Sequence, residues 1–408
     1  MSAPRCASPS ARRNPPERDV GATPRVALFA DTFHEVNGAA RTCREWHSFA
    51  RRRQIPLFCA RWGPSRGLIE EGSVRTLELV RSHWAFPVDT DLRFDPWLMR
   101  QVEPIQEEIA KFRPDYIHVT SPGDLGIVGA ILAARLHTPL AASWHTNLHE
   151  FAARRVARML EWAPHGLGAS AAHRVENFVM DRVCWFFARS SVIFAPNPEL
   201  AGLLRRRTGK PVFPMGRGID TELFHPSRRT RTGDELVVGY VGRLTPEKNL
   251  RLLARVEAAL HDAGLPDARF QITGAGGERS WLERNLSRAT FTGVLTGEGL
   301  ASAYADMDIF AFPSRTDTFG NVVQEALASG VPAVVTDAGG PRFIVRDGET
   351  GFVAASDREF CDCVVALARD RSLRQRMTVA ARRQVENQSW DWVFDEVYEG
   401  YASNLVSV

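Results

Sequence analysis

The amino-acid sequence predicts an α/β protein built from two doubly wound parallel sheets, and three observations carry that expectation. Short apolar runs of strand length alternate with segments of helical period, the pattern of strand–helix–strand units. Several of those runs empty into glycine-bearing loops, as at Asn37-Gly38, Gly242-Arg243 and Gly274-Ala275-Gly276. At 408 residues the chain exceeds one ordinary core, and a glycine-bearing connector over residues 216–235 divides it.

In chain order, residues 1–24 are rich in Ala, Arg, Pro and Ser with no apolar segment, so a disordered tail is expected rather than a signal peptide. The first strand is expected over Arg25 to Ala30, followed by a helix near Ala39 to Arg53. Further strands are expected at Ile55 to Ala60, Val74 to Val80, Asp115 to Val119 and Leu140 to Ser143, with helices near Trp97 to Phe112 and Gly126 to Leu136. The segment Val175 to Arg189, bearing Phe178, Trp185, Phe186 and Phe187, reads as a buried helix feeding a strand at Ser191 to Ala195. A second sheet begins at Leu236 to Val241 and includes strands at Phe270 to Thr273, Asp308 to Phe312 and Pro332 to Thr336. The last stretch, residues 389–408, places Trp390, Trp392, Phe394 and Tyr398 at helical spacing, most simply as core.

Composition narrows the function classes. Lys+Arg 51 against Asp+Glu 48 leaves a formal charge of +3, so no nucleic-acid partner is expected. The six cysteines lack disulfide or zinc spacing, which suits a reduced cytoplasmic setting. The longest apolar run, Leu125 to Ala134, is half of what a bilayer crossing needs.

The residues that carry chemistry cluster at strand ends. Asp317 lies in the loop after the strand ending at Phe312, with Phe319 and Gly320 beside it, and Glu325 follows eight positions later. Along a helix that separation is roughly 12 Å, too far to share a proton but suited to the two ends of an elongated ligand. A capping Asp317 and a solvated Glu325 would also account for the pair. Gly242 permits close approach of a ligand, and Arg243 and Lys248 put two cations at the same kind of junction, fit either for a diphosphate or for a structural salt bridge. Gly38 sits where a phosphate or a facing domain can approach the backbone, or simply where the chain turns. His145 closes the strand ending at Ser143, the side on which ligands bind, although a structural histidine fits that place equally. Gly274 belongs to a glycine loop that fails the dinucleotide spacing and is not followed by a helix-opening motif, and Gly293 follows Phe291-Thr292. Around residues 148–160, Arg154, Arg155 and Arg158 flank an apolar stripe, compatible with an anionic membrane surface or with an ordinary exposed helix.

The stretch Asp308 to Gly340 resembles the E-x7-E signature of the retaining glycosyltransferases of family 4. It matches at Pro313, Ser314, Gly320, Glu325, Ala326, Ser329, Gly330 and Pro332 and departs at Asp317, where the family has Glu. The opening D-T-F-x-x-x-N-G-x-x-R-T, the His145-Thr146-Asn147 run, the linker with Arg217 in place of a small or polar residue, and Gly242-Arg243-Leu244 followed by Lys248-Asn249 are similar to that family's motifs in the same order. The resemblance implies the GT-B architecture, two facing Rossmann-like domains. The N-terminal one, residues 25–215, would bind the acceptor, and the C-terminal one, residues 236–388, the nucleotide sugar; a helix over residues 389–408 would cross back.

It further implies hexose transfer with retention, mannose first, from a nucleotide-diphosphate sugar to a lipid or glycan hydroxyl. No metal and no cofactor is expected, because Arg243 and Lys248 would stand beside the donor phosphates. In the same reading His145 contacts the donor sugar, Gly38 flanks the phosphate, and Gly274 and Gly293 flank the base. Members with lipid acceptors imply peripheral contact with the inner face of the cell membrane through residues 148–160. Two other readings remain open: a sugar-nucleotide epimerase of the same architecture, against which the Arg243/Lys248 pair stands, and a catalytically silent sugar-nucleotide-binding protein, which the departures at Asp317 and Arg217 would suit.

Overall fold

The computed structural model describes residues 23–35, 37–89, 92–145, 147 and 167–406. The expected tail, apart from its last two residues 23 and 24, and the 148–160 segment therefore lie outside the described residues.

The first unit contains strands β1 (Val26–Ala30), β2 (Leu57–Trp62), β3 (Gly67–Glu71), β4 (Val74–Leu79), a small hairpin β5 (Phe86–Asp89) and β6 (Leu92–Phe94), then β7 (Tyr116–Val119), β8 (Leu140–Ser143), β9 (Val192–Ala195) and β10 (Val212–Pro214). Its main sheet has the order β10-β9-β8-β7-β1-β2-β4-β3, parallel throughout except for the antiparallel edge strand β3. Helices α1 (Gly38–Arg52), α2 (Val102–Phe112), α3 (Asp124–Leu136), α4 (Leu167–Phe187) and α5 (Pro198–Thr208) accompany it. Burial on both faces explains why β1 reads as the unbroken apolar run Val-Ala-Leu-Phe-Ala, with every residue buried.

The second unit contains β11 (Val237–Val241), β12 (Arg269–Thr273), β13 (Ala289–Gly293), β14 (Ile309–Phe312), β15 (Ala333–Thr336) and β16 (Gly351–Ala354), all parallel in the order β13-β12-β11-β14-β15-β16. Its helices are α6 (Leu252–Asp262), α7 (Arg279–Asn285), α8 (Gly297–Ala305), α9 (Asn321–Ala328), α10 (Asp357–Arg369) and α11 (Arg371–Val385). The strand order reverses between β11 and β14, and in the first sheet between β1 and β7. At such switch points the loops beyond the carboxyl ends diverge and leave a crevice.

The final helix, α12 (Trp390–Val406), packs on the first unit. Phe394 stacks on Trp46 with ring centroids 5.3 Å apart, and Arg52, the last residue of α1, and Arg53, just beyond it, reach Asp391 and Asp395.

Four expectations need correction. Trp392 is exposed, whereas its neighbours Trp390, Phe394 and Tyr398 are buried, because helical period turns it outward. In α4, Phe186 and Phe187 are buried but Phe178 and Trp185 stand in solvent. The segment beginning at Trp97 is not one helix, since a 3-10 turn over Leu98–Gln101 precedes α2. The short helix α7 does follow the Gly274 loop.

Candidate donor site at the facing switch points

The loop after β11 and the loop after β14 meet at the second sheet's switch point. Lys248, at the end of a 3-10 turn, is buried, and its Nζ donates to Asp317 Oδ1 at 2.7 Å. The other carboxylate oxygen, Asp317 Oδ2, is buried without a hydrogen-bond partner, one of ten such side-chain atoms among the described residues, and the one that stands beside Lys248. Arg243 sits on the same loop, exposed, and its guanidinium makes no hydrogen bond or ion pair among the described residues. The rival structural salt bridge thus belongs to Lys248 and not to Arg243.

Two glycine positions let these loops nest. Gly274 has φ +137, and a Cβ there would lie 1.9 Å from the Gly242 carbonyl oxygen, so the β11 and β12 loops pack backbone to backbone. Gly320 opens α9 at φ +102 against Pro341, leaving the helix N-terminus and Phe319 beside Asp317. Gly293 ends β13 in the left-handed region, with its amide neighbour Gly274 donating to its carbonyl.

Glu325 is not a solvated residue. It is buried on α9, accepts from Arg41 Nη1 at 2.5 Å and from the Tyr304 hydroxyl at 2.9 Å. Arg41 belongs to α1 of the first unit, so this ion pair crosses the cleft. Next to it, a Cβ on Gly38 would come within 3.3 Å of the Asn321 side chain, and Asn197 donates to the Thr318 carbonyl at 3.1 Å. The turn at Gly38 therefore admits the facing unit.

His145 lies beyond β8, buried, with both ring nitrogens engaged: Nδ1 by Arg217 Nη2 at 3.0 Å and Nε2 by Ser143 Oγ at 2.6 Å. Ser143 Oγ also meets His118 Nε2 at 2.7 Å, and His118 Nδ1 meets the Tyr401 hydroxyl of α12 at 2.6 Å. Burial, then the Arg217 charge, then His118 hold the His145 ring well below the ordinary histidine range. Burial lowers His118 to about 3 and Arg217 to about 10. Arg217 is further fixed by the Met215 and Gly216 carbonyls and lies 5.8 Å from the Phe319 ring centroid.

The structure thus gathers Gly242, Arg243, Lys248, Asp317, Phe319 and Gly320 on one side, with Gly38 and His145 on the opposing unit. Sequence reasoning missed Arg41, Tyr304, Ser143 and His118. Arg41 was visible as the arginine of the opening motif, and His118 as a histidine in the middle of an otherwise apolar strand.

Two opposed parallel-sheet units with a cation-bearing crevice define the GT-B class of glycosyltransferases. A family model described as Glycosyltransferase Family 4 matches residues 36–223, and one described as Glycosyl transferases group 1 matches residues 235–370. The chain belongs to the group 1 glycosyltransferases of family 4. It is 35% identical to a GDP-mannose-dependent alpha-mannosyltransferase of Mycolicibacterium smegmatis, over 93% of this chain and 98% of that one. It is also 32% identical to the sulfoquinovosyl transferase SQD2 of Arabidopsis thaliana, over 70% of this chain and 56% of that one. Among solved structures, the sucrose-phosphate synthase of Thermosynechococcus elongatus superposes with a TM-score of 0.71 at 18% identity, covering 94% of this chain and 100% of that one. Anabaena Alr3699/HepE in complex with UDP-glucose does so at 0.63 and 18% identity, with the same coverage, which speaks to the fold.

Proposed function

We propose that this glycosyltransferase moves mannose from GDP-mannose to a hydroxyl of a lipid or glycan acceptor, with retention at the anomeric carbon and without a metal. The observation that carries the reading is the Lys248–Asp317 pair beside the free Arg243 at the switch point of the second sheet. Arg243 and Lys248 lie against the donor diphosphate and offset the charge that grows as it leaves. The unpartnered Asp317 Oδ2 accepts from a sugar hydroxyl, while His145 meets the sugar from the first unit. Glu325 takes the ribose end once its Arg41 contact loosens. Gly38 flanks the phosphates, and Gly274 and Gly293 flank the base.

The acceptor oxygen forms its bond to the anomeric carbon on the face from which the phosphate oxygen departs. The acceptor proton passes to that departing oxygen. A carboxylate nucleophile is the usual device for retention, but Asp317 is held by Lys248, which favours the same-face route. The mannose choice follows relatives named as GDP-mannose-dependent mannosyltransferases.

We place the enzyme at the cytoplasmic side of a membrane. No helix among the described residues is long and apolar enough to cross one. Among the described residues, however, α4 exposes Phe178 and Trp185, with Arg182 5.5 Å from the Phe178 centroid and Arg189 3.3 Å from the Trp185 centroid. Aromatic rings under guanidinium groups suit an anionic lipid surface.

The test is donor hydrolysis and thermal shift with GDP-mannose, UDP-glucose, UDP-galactose and UDP-N-acetylglucosamine, with and without EDTA, on wild type and Lys248→Ala. Stabilisation by GDP-mannose alone, surviving EDTA and absent in the variant, is the expected result. Preference for a UDP-sugar overturns the donor; no stabilisation by any nucleotide sugar overturns the site.

A further inference from the structure

We infer that Arg217 is a positioning residue for His145, fixing the ring as a neutral imidazole with its single proton on Nε2. The inference rests on the reading that His145 faces the donor sugar, and it adds which proton the ring carries and what sets it.

The argument begins with donor and acceptor capacity. A guanidinium has only N–H groups to offer. Arg217 Nη2 stands 3.0 Å from His145 Nδ1, so Nδ1 must present its lone pair, and a second proton there would oppose the guanidinium directly. Arg217 cannot turn away, because its Nη1 is held by the Met215 and Gly216 carbonyls at 3.1 and 2.9 Å. Its own backbone carbonyl accepts from Gln324 Nε2 at 2.8 Å, which ties the connector to the helix α9 of the donor unit.

With Nδ1 bare, His145 carries its proton on Nε2 and donates to Ser143 Oγ. Ser143 then has its own proton to give to His118 Nε2, which leaves the His118 proton on Nδ1, toward the Tyr401 hydroxyl. A row of four hydrogen bonds thus runs in one direction from the interdomain connector to the last helix. A charged residue that is 4% exposed, where a small or polar one would fill the connector, is costly to bury and is satisfied by this arrangement.

Two consequences bear on the reaction. A neutral ring puts no charge of its own beside an anomeric carbon that becomes positive in the transition state. With the lone Nε2–H committed to Ser143 Oγ and Nδ1 to Arg217, the ring is held in one orientation toward the donor rather than as a mixture of tautomers. Arg217 itself touches neither reacting atom.

The test uses 15N-histidine-labelled protein, with the His145 ring signals assigned by loss in His145→Gln. In wild type the expected spectrum shows Nδ1 unprotonated and Nε2 protonated. In Arg217→Met the ring is expected to shift to mixed tautomers, with kcat for donor turnover falling at least tenfold and donor KM changing less than threefold. In the His145→Ala background Arg217→Met is expected to add no further loss. Should Arg217→Met fail to fold, Ser143→Ala decides: with Arg217 in place, Nδ1 is expected to stay unprotonated. A wild-type ring protonated on Nδ1, an unchanged tautomer in Arg217→Met, a Nδ1 proton in Ser143→Ala, or an equal loss in both backgrounds overturns the inference. Unchanged turnover in His145→Ala together with the expected tautomers would instead overturn the role given to His145 in the functional reading.

Discussion

Asp317 shows how much one methylene matters. The family signature has Glu at this place, and the shorter side chain ends at Lys248 Nζ, 2.7 Å away, with one oxygen still unpartnered. Asp317→Asn keeps the shape but removes the charge that faces Lys248. We expect kcat/KM to fall about 10²- to 10³-fold, the cost of losing one preorganised polar contact, while Asp317→Glu keeps more than a tenth of wild-type activity; steady-state kinetics with a saturating acceptor checks both. His118 sets a stability limit of its own. Its folded pKa is lowered to about 3 by burial, so below the ordinary value of 6.5 the unfolded chain binds a proton that the native state refuses. The stability this neutral ring represents is present above pH 6.5 and is lost as pH falls from 6.5 toward 3, by roughly 1 kcal/mol at pH 5.5 for this group. Urea melts of wild type and His118→Gln should differ in that acid slope; identical slopes would show that His118 does not carry it.

At the scale of elements, strands buried on both faces were the most legible. The expected Leu140 to Ser143 coincides with β8, and β1, β11 and β14 begin one residue after their expected starts. The edge strand β3 was not read, because Gly67-Leu68-Ile69-Glu70-Glu71 is nearly all exposed and pairs antiparallel with β4, so neither face imposes an apolar period. The motif residues of the site were legible because a strand end, a glycine and a charge are neighbours in sequence. The Arg41–Glu325 pair was not, since 284 positions separate its members and no local pattern joins them. The helix α4 was misjudged for a related reason: its aromatic residues look alike in sequence, and only packing sorts Phe186 and Phe187 inward from Phe178 and Trp185 outward. If those two exposed rings meet lipid, Phe178→Ser with Trp185→Ser should lower co-sedimentation with anionic vesicles at least fivefold and leave the melting temperature within a few degrees, because neither ring is part of the core. Unchanged sedimentation would remove α4 from the membrane reading.

For the whole molecule, the units are joined among the described residues by polar contacts that include Arg41 with Glu325, Asn197 with the Thr318 carbonyl, and Arg342 with Glu199 at 2.6 Å. Interfaces of this kind permit relative motion. Arg41→Met leaves Glu325 bound by Tyr304 alone, and we expect small-angle scattering of the unliganded protein to show a larger radius of gyration than wild type. Equal radii would mean that the ion pair does not hold the cleft shut.

The course of the chain decides what kind of motion that is. The polypeptide passes between the units twice, once through the connector at Gly216 and again before α12, and the two passages are joined where the Ile219 amide donates to the Gln388 carbonyl at 2.9 Å. A single strand would act as a swivel, free to twist as well as bend. Two strands clamped side by side act as the knuckle of a door, with torsion suppressed and one axis of opening left. Any opening of the cleft is then guided by that clamp rather than free in every direction.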